Sequence, residues 1–168
     1  MEIRKTRMDE LDLVMDIYAY ARRFMAEHGN PNQWGKVKPA REQIAADIAR
    51  GCSYVCVENG EIAAVFYYCE EVDPTYVQIY EGAWLNGEAY GVVHRIASAG
   101  IVKGAGSFCL NWAFAQCGNL KIDTHHDNVV MQNTLKKNGF RYCGIIYLAD
   151  GQPRMAYQRG TQEADAEK

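Results

Sequence analysis

The segment from Tyr90 to Cys117 constrains the fold more than any other part of the chain, because it joins three different patterns. Tyr90–Ile96 (YGVVHRI) is apolar enough for a central strand. A glycine-rich turn follows, Ile101-Val-Lys-Gly-Ala-Gly-Ser, and Phe108–Cys117 then has a helical pattern. A glycine turn that opens a helix offers free amide N–H groups and the positive end of the helix dipole, so this junction predicts a site for a phosphate-like anion.

Two well-known phosphate motifs do not match the turn. The Gly-Lys-Ser/Thr order of the P-loop is absent, and the dinucleotide-binding fingerprint lacks its third glycine. A turn with only Gly104 and Gly106 is a weak signal by itself, so its interpretation depends on the rest of the chain.

Periodicity and turn residues predict an α/β (α+β) protein with a mixed sheet and helices on both faces. Asn59-Gly60 is typical of a hairpin turn between two strands. We expect one domain over residues 1–160 and a polar, frayed tail over 161–168. The predicted helices run from Met8 to Gly29, from Pro39 to Gly51, over Phe108–Cys117 and over Val129–Lys137; the predicted strands are Glu2–Lys5, Tyr54–Glu58, Glu61–Cys69, Tyr76–Glu81, Tyr90–Ile96, Leu120–Thr124, Phe140–Leu148 and Arg154–Gln158.

Composition excludes several classes of protein. The 168 residues are 48% hydrophobic and 23% charged with a net charge of −3, which is typical of one globular domain and argues against a nucleic-acid partner. Apolar runs are too short for a membrane span, and the first residues lack the apolar core of a signal peptide, so we expect no membrane partner and a cytoplasmic location. The six cysteines are expected to be reduced thiols.

Charge is segregated along the chain. Residues 60–94 contain six acids and no Lys or Arg, whereas residues 95–160 contain eight bases and three acids. This distribution suits a protein that holds a cation on one side and an anion on the other, although chance clustering of surface charge gives the same pattern.

The order strand, Gly104-x-Gly106, helix, strand, Asn128, helix, Gly139-Phe140, strand resembles the GCN5-related N-acetyltransferase (GNAT) family over roughly residues 3–159. Ile101 departs from that family's motif, which has Gln or Arg there. The resemblance implies a single-domain acyl-CoA N-acyltransferase fold with a mixed, mostly antiparallel seven-stranded sheet. It also implies acetyl-CoA as the cofactor, held by the turn and by a strand that splays from its neighbour. The residues that it assigns to acetyl-CoA are Ile96, Ala97, Ser98, Val102, Lys103, Gly104, Ala105, Gly106, Ser107, Asn128 and, with a packed or solvated role as the alternative, Asn133.

In family members an amine usually attacks the thioester directly. The protein then supplies a base that removes a proton from the ammonium and a backbone N–H that stabilises charge on the carbonyl oxygen. In this chain the N–H is expected near Ile96 or Ala97.

Three candidates for the base are His94, on the face of Ile96, Glu81, at a predicted strand end, and His125-His126-Asp127, which follows a predicted strand. A packed histidine is the alternative for His94, and an exposed carboxylate is the alternative for Glu81. The family's usual acid, a Tyr, is replaced by Leu135. We expect no metal, since neighbouring residues at a strand end should keep His125 and His126 apart.

The expected reaction is transfer of an acetyl group to a primary amine of a small molecule or peptide. Trp34, Tyr80 and Trp84 are the candidate acceptor-binding residues, with core packing as the alternative for the tryptophans. A homodimer is a further expectation. A degenerate module that binds CoA without turnover is the alternative function, favoured by Ile101 and Leu135, and an oligomerising protein without a ligand is a third.

Overall fold

The computed structural model describes residues 1–161; most of the predicted tail lies outside the described residues. Four α-helices and seven strands follow one another along the chain. In order they are β1 (Glu2–Lys5), α1 (Leu11–Glu27), α2 (Arg41–Ala49), β2 (Ser53–Glu58), β3 (Glu61–Glu70), β4 (Gly91–Ser98), α3 (Ala105–Cys117), β5 (Leu120–Thr124), α4 (Val129–Lys137), β6 (Arg141–Tyr147) and β7 (Pro153–Arg159).

The strands form one mixed sheet in the order β1-β2-β3-β4-β5-β7-β6. Only β4 and β5 run parallel, and every other neighbouring pair is antiparallel. The predicted seven-stranded, mostly antiparallel sheet is therefore confirmed. No helix in residues 1–161 combines the length and apolar character that a membrane span requires.

The two faces of the sheet follow the alternation of side chains along each strand. Phe66 and Val93 point to the face covered by α3 and by Leu135 of α4. Val65 and Ala97 point to the opposite face, where α1 and α2 pack. A smaller cluster on β4, β6 and β7 lies against the segment 74–90. All six cysteines are free, as expected.

The predicted strand at Tyr76–Glu81 is wrong. Residues Pro74–Tyr76 form a 3₁₀ turn, in which Asp73 accepts a hydrogen bond from the Thr75 N–H and Pro74 fits the first position. Tyr80 then makes one isolated bridge to β6. Glu81 has a positive φ of 55°, which interrupts an extended conformation.

Helix α3 begins at Ala105, three residues before the predicted start, so Gly106 and Ser107 belong to its first turn. Glycine has a poor helix propensity, and its presence in the first turn made the helix look shorter in the sequence. Helix α1 begins at Leu11 after a 3₁₀ turn at Met8–Glu10.

Candidate active site

Strands β4 and β5 separate shortly after they begin. They pair only through Gly91 with Leu120 and Val92 with Lys121. From Val93 onward, the edge of β4 that faces β5 therefore has no strand partner, and its main-chain groups are available to an extended ligand. The splayed strand that the sequence resemblance implied is present.

A bulge at Arg95 bends β4 beside this opening. The pairing register between β3 and β4 shifts there, and Arg95 has a positive φ of 49°. Its guanidinium donates to both carboxylate oxygens of Asp47, at 2.9 and 3.0 Å, and its carbonyl accepts a hydrogen bond of 2.8 Å from the Tyr18 hydroxyl. Burial raises the pKa of Asp47 although Arg95 opposes the shift. The contacts to α1 and α2 hold a conformation that is unfavourable for a non-glycine residue.

The glycine turn presents free amide groups. Gly104 lies in the left-handed region with φ 81° and α3 begins at the next residue. The first main-chain bond of the helix joins the Phe108 N–H to the Gly104 carbonyl, at 2.9 Å. Within residues 1–161, the N–H groups of residues 102–107 donate no well-formed hydrogen bond. A Cβ atom on Gly104 or Gly106 would meet nothing within 4 Å. The turn is thus a concave set of donors that suits an anion.

This turn lines a cavity of about 530 Å³ between α1, β4 and α4. The structure brings together nearly all the residues that the sequence assigned to acetyl-CoA. Those that line the cavity are Ile96, Ala97, Ser98, Val102, Lys103, Gly104, Ala105, Gly106, Ser107 and Asn128. Asn133 is the exception, because it lies exposed on α4 and outside the cavity.

Sequence reasoning missed the far wall of this cavity. Tyr20 and Phe24 of α1 line it, as do Val130, Thr134 and Lys137 of α4. The α4 residues lie four and three positions apart, which places them on one helix face. That spacing was a usable signal once α4 was placed beside the glycine turn. Lys137 adds a second positive charge beside Lys103.

Asn128 has a structural role as well as a place in the cavity. Its Oδ1 accepts from the Met131 N–H at 3.0 Å and caps α4, and its Nδ2 donates to Gln33 Oε1 at 3.0 Å. Gln33 Oε1 also accepts from Asn30. The Oδ1 of Asn30, buried on the wall of this cavity, has no partner among the described residues. Because almost none of this oxygen's surface is accessible, a ligand in the cavity does not reach it, and its missing hydrogen bond is a cost to the folded protein.

A second cavity, of about 620 Å³, lies at the same opening and is lined mainly by the loop 32–38, by β4 and β5, and by residues between 148 and 154. Its charged lining includes His94, Asp73, Asp123 and Arg154. The Asp123 carboxylate accepts a hydrogen bond of 2.6 Å from the Tyr76 hydroxyl. The mixture of acidic, basic and titratable groups distinguishes this cavity from the amide-lined one.

His94 is held by Asp73. The His94 Nε2 lies 2.8 Å from Asp73 Oδ2. Burial alone would raise the pKa of Asp73, but hydrogen bonds from His94 and Thr75 lower it to about 2. An ionised carboxylate only accepts, so this contact assigns the ring hydrogen to Nε2 and leaves the Nδ1 lone pair free in the neutral ring. The pair is therefore oriented for a base.

The two cavities share one boundary. Met25, Trp34, Ile96, Asn128 and Met131 line both. Trp34, an expected acceptor residue, packs edge-on against Tyr18 with ring centroids 5.7 Å apart. Because they share this wall, the two cavities form the two halves of one cleft, which passes through the opening between β4 and β5.

Three other predicted residues are not brought into the cleft. Glu81 and Tyr80 are exposed and line neither cavity, and Tyr80 packs instead on Tyr147. Trp84 packs against Tyr76 and donates to its carbonyl at 2.8 Å. For Tyr80 and Glu81 the cause is the strand that was wrongly predicted over 76–81. We do not retain them as site residues.

Leu135 is completely buried in the core beneath α3. Its position explains why no polar group stands there, since a hydroxyl in that core would need a partner.

His125 and His126 also differ from expectation, because their rings stack with centroids 4.2 Å apart. They follow the end of β5 in a turn, so the alternation of a strand does not apply to them. Ligand atoms of both and of Asp127 lie within 4.8 Å of one another, but the His125 Nδ1 accepts from the Asp127 N–H.

A splayed parallel pair, a bulged strand and an amide-lined turn at a helix start define an acyl-CoA N-acyltransferase fold. Comparison with solved structures gives the same result. A GNAT-family acetyltransferase from Streptococcus agalactiae is 32% identical with a TM-score of 0.79, and the match covers 96% of each chain. The chain belongs to the GNAT family of acetyltransferases.

More distant structures share the fold. A GNAT-family acetyltransferase from Listeria monocytogenes is 17% identical with a TM-score of 0.68, covering 94% of this chain and 93% of that one. An N-acetyltransferase from Staphylococcus aureus is 17% identical with a TM-score of 0.62, covering 95% and 97%. No protein-family model and no curated protein matches the sequence.

Proposed function

We propose that this protein transfers an acetyl group from acetyl-CoA to a primary amine, with both substrates bound in the cleft at once. The observation that carries the proposal is the single opening between β4 and β5. Free amides of residues 102–107 lie on one side of it, and the His94–Asp73 pair lies on the other. Membership of the family supports the acyltransferase class. The geometry supports the placement of acetyl-CoA on the side of the free amides and of the amine on the side of His94 and Asp73.

The cavity of about 530 Å³ beside the glycine turn, which we call the loop-side cavity, fits acetyl-CoA by three features. The amides of residues 102–107 would bind the diphosphate, assisted by Lys103 and Lys137. The unpaired edge of β4 would bind the amides of the pantetheine arm. When bound, acetyl-CoA supplies a thioester whose carbonyl carbon accepts the amine nitrogen and whose sulfur leaves as a thiolate.

The cavity of about 620 Å³ that contains His94 and Asp73, which we call the acceptor-side cavity, would hold the amine, and its groups then have separate tasks. His94 would take a proton from the acceptor ammonium at Nδ1, while Asp73 holds the ring and stabilises the imidazolium. The bulge at Arg95 fixes the main chain at Ile96, where an N–H would stabilise charge on the carbonyl oxygen. Departure of the sulfur as a thiolate needs no protein acid, since a thiol pKa is about 8.5, and this agrees with the buried Leu135.

His94→Gln tests the assignment. We expect kcat/KM for a primary amine to fall by about 10² at pH 7, the lower end of a general base's contribution. The difference in kcat/KM between the variant and the wild type should become smaller at pH values where the free amine predominates, because no base is then needed. Glu88→Gln, an exposed charge change in the same acidic segment, is the control and should leave the rate unchanged. A deficit that is constant with pH would exclude His94 as the base.

A CoA-binding module without turnover is the second candidate, favoured by the absence of the family's usual Tyr at Leu135. Free thiol measured with acetyl-CoA and a panel of amines separates the two. Tight CoA binding without thiol release for any amine would support the module.

A further inference from the structure

Arg154 is the least exposed charged group of the acceptor-side cavity. It lies on β7 and lines that cavity, and only 5% of its surface is accessible to solvent. Burial lowers the pKa of its guanidinium. A cation at such a place is costly unless an anion compensates it.

The hydrogen-bond partners of Arg154 are all neutral. Its Nη1 donates to the Pro153 carbonyl at 2.9 Å and to Gln152 Oε1 at 3.4 Å. Its Nη2 lies 3.5 Å from Gln152 Oε1 and 3.4 Å from the Gln33 carbonyl. No Asp or Glu oxygen in the described part of the chain lies within 4.0 Å of this guanidinium.

Two other partly buried arginines show the usual arrangement. Arg4 lies 2.8 Å from a Glu10 carboxylate oxygen and Arg95 lies 2.9 Å from an Asp47 oxygen. Arg154 is more buried than either and still lacks such a partner. Its charge is therefore available to a ligand in the cavity.

Three carboxylates also line this cavity, those of Asp73, Asp123 and Asp150, and among the described residues none of their oxygens lies within 4.0 Å of the Arg154 guanidinium. Asp73 accepts from His94, and Asp123 accepts from the Tyr76 hydroxyl. These carboxylates supply negative charge for an ammonium group.

Of the other cations in the lining, Arg95 is paired with Asp47 and the two lysines, Lys36 and Lys38, are exposed, so Arg154 is the buried cation left for an anion. One guanidinium matches a carboxylate in charge and in its forked geometry.

We propose that the acceptor is an amino acid or a similar small zwitterion, whose carboxylate binds Arg154 while its amine lies at His94. This inference rests on the proposed function, since it names the substrate class of the same cavity. It adds Arg154 as a specificity-determining residue.

Equilibrium binding to the CoA-saturated protein is the test. The probes are the standard α-amino acids, β-alanine and γ-aminobutyrate, each measured beside its carboxamide. We expect at least one acid to bind tenfold or more tightly than its amide. Arg154→Gln should reduce that preference to within twofold, and Arg154→Lys, which keeps the charge but not the fork, should give an intermediate preference. The melting temperature and CoA affinity of each variant show whether it is folded.

The result separates this inference from the proposed function. Binding that prefers the acid, without thiol release, contradicts acetyl transfer but supports the carboxylate site. Thiol release with an amide or a plain amine as readily as with the acid contradicts the carboxylate site alone. Equal binding of acids and amides, no binding of any acid, or a preference that survives in Arg154→Gln overturns the proposal.

Discussion

Gly106→Ala should separate the stability of the protein from its affinity for acetyl-CoA. Gly106 lies in the first turn of α3 without a positive φ, and a Cβ there would meet nothing within 4 Å. Alanine is a better helix residue than glycine, so we expect the free energy of unfolding to rise by about 0.5 kcal/mol and the melting temperature by about 1–2 °C.

The same methyl group would occupy the space in which the diphosphate meets the amides. Losing two hydrogen bonds to a charged group, at about 1.5 kcal/mol each, weakens acetyl-CoA binding by about 3 kcal/mol, or roughly 100-fold in Kd. Titration calorimetry measures this loss, and thermal unfolding of the free protein measures the gain in stability.

Two further glycines provide controls. Gly87→Ala adds a methyl group to an open position outside the cleft, also without a positive φ, and should leave the affinity unchanged. Gly104→Ala should lower stability by about 1 kcal/mol, because Gly104 has a φ of 81°. Wild-type affinity in Gly106→Ala would refute the placement of the diphosphate, and a lower melting temperature would refute the stability argument.

Three other changes test the electrostatics and the bulge. Glu10→Gln should lower the free energy of unfolding by about 3 kcal/mol at pH 7, because Arg4 holds the pKa of the buried Glu10 at about 2. This stabilisation is present above pH 4.5 and is lost as the pH falls toward 2. Urea unfolding should therefore give the variant and the wild type the same free energy of unfolding in acid. Asp73→Asn should lower kcat by tenfold or more with little change in CoA affinity, measured by thiol release and calorimetry; an unchanged kcat would contradict the role of Asp73 in orienting His94. Asp47→Ala removes the carboxylate that binds Arg95 at the bulge, and it should lower the free energy of unfolding, measured in urea, by about 3 kcal/mol. A loss below about 1 kcal/mol would show that α2 does not hold the bulge.

The sequence predicted the parts of the site that depend on local pattern. The glycine turn, the strand before it and Asn128 required only neighbouring residues to be recognised, and they lie together in the structure. The His94–Asp73 pair joins residues 21 positions apart, and the mistaken strand over 76–81 hid the turn that brings Asp73 to His94.

Long-range packing accounts for the other omissions. Arg154 looked like an ordinary strand residue, and only the three-dimensional arrangement shows its burial and its lack of a carboxylate partner. The bulge at Arg95 depends on α1 and α2, which lie far away along the chain. The homodimer, the cytoplasmic location and the exclusion of nucleic-acid and membrane partners stay predictions.

Comparison of two ligands tests most directly whether the amides of residues 102–107 bind a diphosphate. Acetyl-CoA and S-acetylpantetheine carry the same thioester and arm, but only acetyl-CoA has the diphosphate and nucleotide. Calorimetric titration should give a Kd for S-acetylpantetheine at least 100-fold weaker than for acetyl-CoA, and Gly106→Ala should reduce this difference. Equal affinity for the two ligands, or no binding of acetyl-CoA, would contradict the account.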